Sequence, residues 1–444
     1  MKWNFYKLFV TLSLAILVGI LSGSCAFLFQ ELIALVNNIF FFGHFSFSFH
    51  ESLHVPPSIW GVGIVFVPMV GGLLVILLIE KFAADERGLS VPEIIYKIHN
   101  NQGKIRPKIA LAKTLASAIS IGSGASIGRE GPVVEIGAAI GSLLSDVISL
   151  TDEQRIILVA AGAASATTAI FNAPLAGVAF AIELLLISIN GLALLSIAVA
   201  VITTLLFKYL FINISPIFTL NSVESFKDNY ALLINLLLCV ALGVILGIIS
   251  ALFIYLVYWF EDRFNSLMKN PYLRHSIAMI VVGILLYAFM QLFGHYYIEG
   301  IGFATIQDCL SSLIMNPWFL LLLIMCKLLA TCLSLGSGAS GGIFSPALFI
   351  GATLGTLFAV TINHIFPHLT INPVLFTMVG MAGVLGSVTG ALVTAILITL
   401  EMTNNWNVIL PIIITTIIAY SVRKQFSNEN IYTLKLVRRY SKLN

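Results

Sequence analysis

Long apolar runs follow one another along this chain with only short polar breaks between them. They occupy roughly residues 8–39, 59–79, 109–121, 132–150, 156–188, 192–211, 231–260, 277–293, 318–335, 345–366, 373–400 and 408–420. A helix crossing a bilayer at right angles needs about 20 apolar residues, and these runs are variously too long and too short. Gly and Pro interrupt several of them. The pattern predicts an all-α polytopic membrane protein of tilted helices, some of which stop inside the membrane. Residues 1–444 read as a single transmembrane domain, with a first repeat over about 8–211, a second over about 231–422, and a tail at 423–444. No soluble domain fits between the runs, and the short tail leads us to expect no cytosolic regulatory module.

Composition agrees. Hydrophobic residues make up 59% and charged residues 10% of the chain, where a soluble domain carries about 25% charge. Mean hydropathy is +1.02. So few charges cannot cover a soluble surface, so the surface faces lipid. The net charge of +3 is dispersed, which excludes nucleic acid as a partner. Cys25, Cys239, Cys309, Cys326 and Cys332 include no C-x-x-C pair and read as small apolar fillers. Lys2 and Lys7 before an apolar run imitate a signal peptide, but apolar sequence resumes at Ala26, so a retained first helix is expected.

Lys97, Lys104, Arg106, Lys108 and Lys113 cluster in one segment, and the tail carries Arg423, Lys424, Lys435, Arg438, Arg439 and Lys442. The His44–His54 and Glu299–Asp308 loops carry no Lys or Arg. The positive-inside rule then predicts cytoplasmic termini and outward-facing loops at those two places. His44, His50 and His54 have no metal-site company and belong to the outer loop.

An internal repeat is more informative. Residues 122–143 read GSGASIGREGPVVEIGAAIGSL and residues 336–357 read GSGASGGIFSPALFIGATLGTL. At an offset of 214, Gly128 matches Gly342, Pro132 matches Pro346, Gly137 matches Gly351 and Gly141 matches Gly355. At an offset of 218, Gly162 matches Gly380, Ala173 matches Ala391 and Glu183 matches Glu401. Tight helix packing by small residues explains the composition but not the register. Duplication in an apolar chain points to a transporter-type fold with its site between the halves.

Each copy runs from a glycine-rich stretch through a proline into an apolar helix, and proline favours a helix's first turn. Two helix N-termini are thus expected, at Pro132 and Pro346. Such termini offer unpaired N–H groups and partial positive charge, which suit a small anion without a fixed cation. Glu130 lies beside the first. Its carboxylate either occupies the anion position and acts as a proton-dependent gate, or merely complements the helix dipole and pairs with Arg129. The chemistry alone leaves the two even.

GREGP at Gly128–Pro132 and GIFSP at Gly342–Pro346, with FNAPLAG at 171–177, closely resemble the CLC family of chloride channels and chloride/proton exchangers. The resemblance runs from about Gly88 to Tyr432 and is of the bacterial type without a regulatory domain. It implies two inverted repeats and a homodimer with one pore per subunit, as a multi-pass protein of a cell membrane, the bacterial inner membrane. It implies that Glu130 is the gating glutamate, within a selectivity motif of Gly128, Arg129, Gly131 and Pro132. On the other side, Gly342, Ser345 and Pro346 form the matching motif, and Ile343 and Phe344 offer backbone N–H groups to the anion. Tyr432 falls where the family places an anion-coordinating tyrosine. No cofactor and no metal are implied.

Two departures qualify this. The family's GSGIPE is here GLSVPE at 88–93, so Leu89 holds the serine position and the hydroxyl has moved to Ser90. One residue at a helix start turns a side chain by about 100°, which favours backbone N–H groups alone on this rim. The inner glutamate of exchangers is matched by Leu184 in FAIEL. Glu183 before it is a candidate proton relay, but its repeat partner Glu401 favours a paired structural role. Glu135, where Gln or His is common, reads as a helix-start carboxylate. The leading expectation is chloride/proton exchange, and the alternative is a passive gated chloride channel. Pro92 and GREGP argue against fluoride-type relatives, and anion-oriented N-termini argue against an organic-solute symporter. No H-E-x-x-H or G-x-S-x-G supports an enzyme.

Overall fold

The computed structural model describes residues 5–48, 50–86, 89–212, 216–220, 229–369 and 371–440; Lys2, Gly88 and Lys442 lie outside them. The first half builds α1 (Phe5–Asn37), α2 (Val67–Phe82), α3 (Ser90–Asn100), α4 (Pro107–Gly122), α5 (Glu130–Val147), α6 (Asp152–Phe171), α7 (Pro174–Phe180) and α8 (Gly191–Phe211). The second builds α9 (Asn229–Leu267), α10 (Pro271–Phe293), α11 (Phe303–Leu310), α12 (Pro317–Ser337), α13 (Phe344–Ile365), α14 (Pro373–Thr389), α15 (Leu392–Thr403) and α16 (Ile409–Phe426). A last helix, α17 (Ile431–Tyr440), follows. Among the described residues, nine helical stretches are long and apolar enough to cross a membrane.

Local sequence sets the helix ends. Proline opens α4, α7, α10, α12 and α14, where its missing N–H costs nothing. The side chains of Asn270, Asn316 and Asn372 accept N–H bonds at the starts of α10, α12 and α14. A reciprocal Thr151–Gln154 pair does the same for α6. Two of the apolar runs prove to be broken. Asn172 and Gly390, at φ 52° and 77°, end α6 and α14 in the left-handed region. The runs 156–188 and 373–400 therefore each hold two helices. These breaks occupy the same repeat position, and neither interrupts hydrophobicity.

Packing follows the repeat. Helix α1 lies on α8 as α9 lies on α16, and α5 lies on α6 as α13 lies on α14. The last two contacts are close because Gly137 meets the backbone of Gly162 and Gly351 meets that of Gly380; a Cβ at any of the four would strike backbone. Across the halves, α7 packs on α15. There the Glu183 carboxylate accepts the N–H groups of Val393 and Thr394, both at 2.8 Å, and the Thr394 hydroxyl at 2.6 Å. Glu401 returns the contact, accepting the N–H groups of Leu175 at 3.0 Å and Ala176 at 2.9 Å. Each acid thus caps the N-terminus of the other half's helix, where a negative charge is favourable. Glu183→Gln and Glu401→Gln are each expected to cost about 1 kcal/mol of stability, the former more because its Oε2 serves two donors. Thermal unfolding in detergent checks this. Loss of proton flux in Glu183→Gln alone, at an unchanged melting temperature, would point to a relay instead.

Four sequence expectations are corrected. Lys113 is not a loop charge: it lies inside α4, 0% exposed, and pairs with Glu135 of α5 at 2.8 Å. Glu135 is accordingly half of a buried ion pair and not a simple helix-start carboxylate. Lys97 is buried too, against Glu86, whose carboxyl lies below its usual range because Lys97 and Arg106 outweigh its burial. Asp308 belongs to α11, so the outer loop ends at Gly302.

Candidate anion site between the two repeats

The N-termini of α5 and α13 meet. Gly128 N–H donates to the carbonyl of Gly342 at 2.8 Å and Gly342 N–H donates to that of Gly128 at 2.7 Å. This antiparallel bridge joins equivalent positions of the repeat. Two residues on, Glu130 and Phe344 are equivalent positions as well. Phe344 N–H donates to Glu130 Oε1 at 2.6 Å, and the Ser345 hydroxyl to Oε2 at 3.3 Å. The carboxylate, on a residue 2% exposed, therefore occupies the α13 N-terminus, on donors that suit an anion. A Cβ on Gly128 or Gly342 would run into this carboxylate, which explains glycine at both positions.

The Arg129 guanidinium turns away from Glu130. It donates to the carbonyl of Ile170 at 3.1 Å and pairs with the carboxylate of Glu51. Pro132 and Pro346 sit in the first turns of α5 and α13, Ile343 caps α13, and Gly131 packs beside Gly342 and Ser90. The Ser90 hydroxyl is buried with no partner.

Phe344 packs against Phe171 and Phe180, with ring centroids 6.2 and 6.0 Å away, and against Tyr432 at 6.5 Å. Tyr432 is 2% exposed. Asn430 caps its helix by accepting the Tyr432 N–H at 2.9 Å, and the Tyr258 hydroxyl donates to the Ile431 carbonyl. Further along α17, Lys435 pairs with Glu261 at 2.6 Å and Arg439 with both oxygens of Glu93 at 2.6 and 2.7 Å. Charges on α3 and α9 thereby hold the helix that presents the tyrosine. Leu184 is part-buried against the core.

Two cavities approach the site from opposite ends of α10. One, of about 40 Å³, is lined by Asn37, Glu51, Arg129, Glu299 and Phe303. The other, of about 160 Å³, is lined by Leu89, Tyr258, Glu261, Ala339 and Lys435. Pro271 borders the second, and α10 ends at Phe293 just before Tyr296 of the first. Twenty-three residues of helix span about 34 Å. Arg129 in one wall directly precedes Glu130, and Ala339 in the other lies three residues before Gly342.

Several charged groups here escaped the sequence reading. Glu51 had no local signal, since its partner lies 78 residues away. His54 pairs with Asp308 at 2.7 Å and stacks on His295 with centroids 4.5 Å apart. Glu299 accepts from Asn37 at 3.1 Å, and Lys327 donates to the carbonyls of Ile298 and Gly300 on either side of it. Burial pushes the Glu299 carboxyl up to about 7, against the opposing pull of Lys327 and the Asn37 amide. A raised pKa means that the folded chain holds this proton more tightly than the unfolded one. The resulting stabilisation is full below about 4.5 and fades as pH rises through about 7. Wild type is expected to lose stability across that window relative to Glu299→Gln, as melting temperatures from pH 4 to 8 would show. Among the described residues, no His, Cys, Asp and Glu grouping could hold a metal ion.

Known proteins resemble this chain. The H(+)/Cl(-) exchange transporter ClcA of Vibrio parahaemolyticus is 32% identical over 370 residues, covering 81% of this chain and 76% of its own. That of Vibrio cholerae is 30% identical over 442 residues, covering 97% and 90%. Among solved structures, a slow cyanobacterial Cl-/H+ antiporter superposes with a TM-score of 0.83 at 25% identity, covering 97% and 98% of the two chains. A CLC-type fluoride/proton antiporter at 22% identity, covering 97% and 98%, shares the fold, with a TM-score of 0.75. The sequence profile described as "Voltage gated chloride channel" matches residues 71–424, from α2 through α16 and across both copies of the glycine-rich motif. With its paired N-termini and inverted halves, the chain belongs to the voltage-gated chloride channel (CLC) family.

Proposed function

We propose that this protein exchanges chloride for protons across a membrane, with Glu130 as the gate. One observation carries the reading: the Glu130 carboxylate sits on the Phe344 N–H and the Ser345 hydroxyl. A chloride ion would use the same donors. Ion and carboxylate compete, so protonation frees the site by neutralising the competitor and letting it leave. The backbone N–H groups of Ile343 and Phe344 bind the anion, and Tyr432 closes the site toward the second cavity. Ser90 supplies the hydroxyl that the shifted first motif would otherwise lack, which its buried, unpartnered oxygen supports. This revises the expectation that backbone alone serves that rim.

The second cavity and the tail face the cytoplasm in this reading, because α17 carries the basic residues. The Vibrio relatives support a bacterial inner membrane, and the family resemblance supports a homodimer with one pathway per subunit. Glu183 and Glu401 serve the packing of the two halves. Leu184 at the inner proton position favours a second reading, a passive gated chloride channel. The reversal potential of the protein in liposomes under combined chloride and pH gradients separates the two. Displacement from the chloride potential toward the proton gradient supports exchange, and reversal at the chloride potential supports the channel.

A further inference from the structure

The cavity beside Arg129 holds a second carboxylate in a place suited to an anion. Arg129 is 1% exposed and directly precedes the proposed gate. One of its terminal nitrogens is held by the Ile170 carbonyl, the other by Glu51, and its buried Nε–H has no partner. Its guanidinium lies 5.3 Å from the centroid of the Phe303 ring, which helps to wall the cavity. Lys208 sits nearby on the Ala169 carbonyl at 2.7 Å. Two cations thus gather at the C-terminal end of α6, and Arg129 is the one that lines the cavity. A buried donor left unpaired is costly, and the residue that carries this one lines the cavity, which marks it as a place for a ligand.

Glu51 reaches this cation from the segment between residues 43 and 60, which belongs to neither repeat's glycine-rich motif. Its side chain is 26% exposed and also accepts from the Gln30 amide, at 3.5 Å. Small anions and carboxylates bind guanidinium through the same N–H groups. A carboxylate tethered by a short segment acts as a competitor at millimolar effective concentration or above. The other charges around it are accounted for. Glu299 lines the same cavity and bonds to Asn37, while His54 is held by Asp308 and His295. Lys327 is committed to backbone carbonyls. Arg129 is therefore the cation that Glu51 and an incoming anion would share.

We propose that the cavity at Arg129 is a second binding site for a small monovalent anion such as chloride, and that the Glu51 carboxylate is its tethered competitor. The proposal rests on the chloride pathway proposed above. Two carboxylates then stand in series on one route: Glu51 on a guanidinium at the mouth, and Glu130 on a helix N-terminus further in. An arriving anion displaces the first before it meets the second, so Glu51 sets how much chloride is needed on that side.

The test varies chloride separately on each side of the membrane, using full-length protein in liposomes. In Glu51→Gln, half-saturation on the side of the 43–60 segment is expected to fall about tenfold, with half-saturation on the other side unchanged. Equal half-saturation in wild type and Glu51→Gln on that side would overturn the proposal. Failure of wild type to carry any chloride would instead overturn the pathway reading beneath it. A second measurement does not depend on flux or on the variant's folding. Wild-type crystals grown in bromide should show an anomalous peak at Arg129 with Glu51 swung aside. Saturating bromide with no peak there, and Glu51 still on Arg129, would also overturn the proposal.

Discussion

Glu130→Gln is expected to abolish proton movement while chloride continues to flow. The neutral amide is close in shape to the protonated acid, so it mimics the released gate at every pH. It keeps an oxygen that Phe344 N–H can use, but it carries no charge to compete with the ion at the α13 N-terminus. The reversal potential of the variant should therefore follow the chloride gradient alone, whatever pH gradient is imposed. A variant that still moves protons would refute the gate assignment. Arg129 takes its hydrogen-bond partners from Glu51 and Ile170, so the change breaks no direct Arg129 contact.

The largest effect on stability is expected at Lys113 and Glu135. Both side chains are 1% exposed and lie 2.8 Å apart between α4 and α5. Removing one partner leaves a charge in a dry interior, which costs about 3–5 kcal/mol. Lys113→Met and Glu135→Leu should each lower the melting temperature strongly. The double variant should recover most of the loss, because two apolar side chains pack where two desolvated charges stood, and such replacement is often neutral or stabilising. Melting temperatures of the four proteins close the cycle. Additive losses in the double variant would mean that the pair does not act as one unit.

The same pair shows how far the sequence could be read. Lys113 stands near Lys97, Lys104, Arg106 and Lys108, and their proximity along the chain made one basic loop of them. Pro107 starts a helix, however, and six further residues carry Lys113 nearly two turns into it. Its partner comes from another helix, and no local signal announces such a pairing. Glu51 and Arg129, or His54 and Asp308, were hidden for the same reason. The repeat was legible because its glycines and prolines answer local demands of close approach and helix starts, which recur at a fixed offset. The helix breaks at Asn172 and Gly390 were harder to see, since a left-handed residue can end a helix without lowering the hydrophobicity around it. At Ser90 the rotation count assumes an ideal helix start, and Leu89 before it is extended and caps α3.

The reciprocal bridge between Gly128 and Gly342 places Glu130 opposite its own counterpart, Phe344. If the repeat began as two identical halves, the number of acids at this point was zero or two. With none, the two N-termini would bind an ion and nothing would exclude it. With two, the carboxylates would face each other across a few ångströms in a dry interior, and mutual repulsion would keep at least one protonated. A single acid facing an apolar residue is the arrangement in which one proton decides between filled and vacant. In the proposed mechanism, symmetry builds the receptor, and breaking it at one position makes the switch.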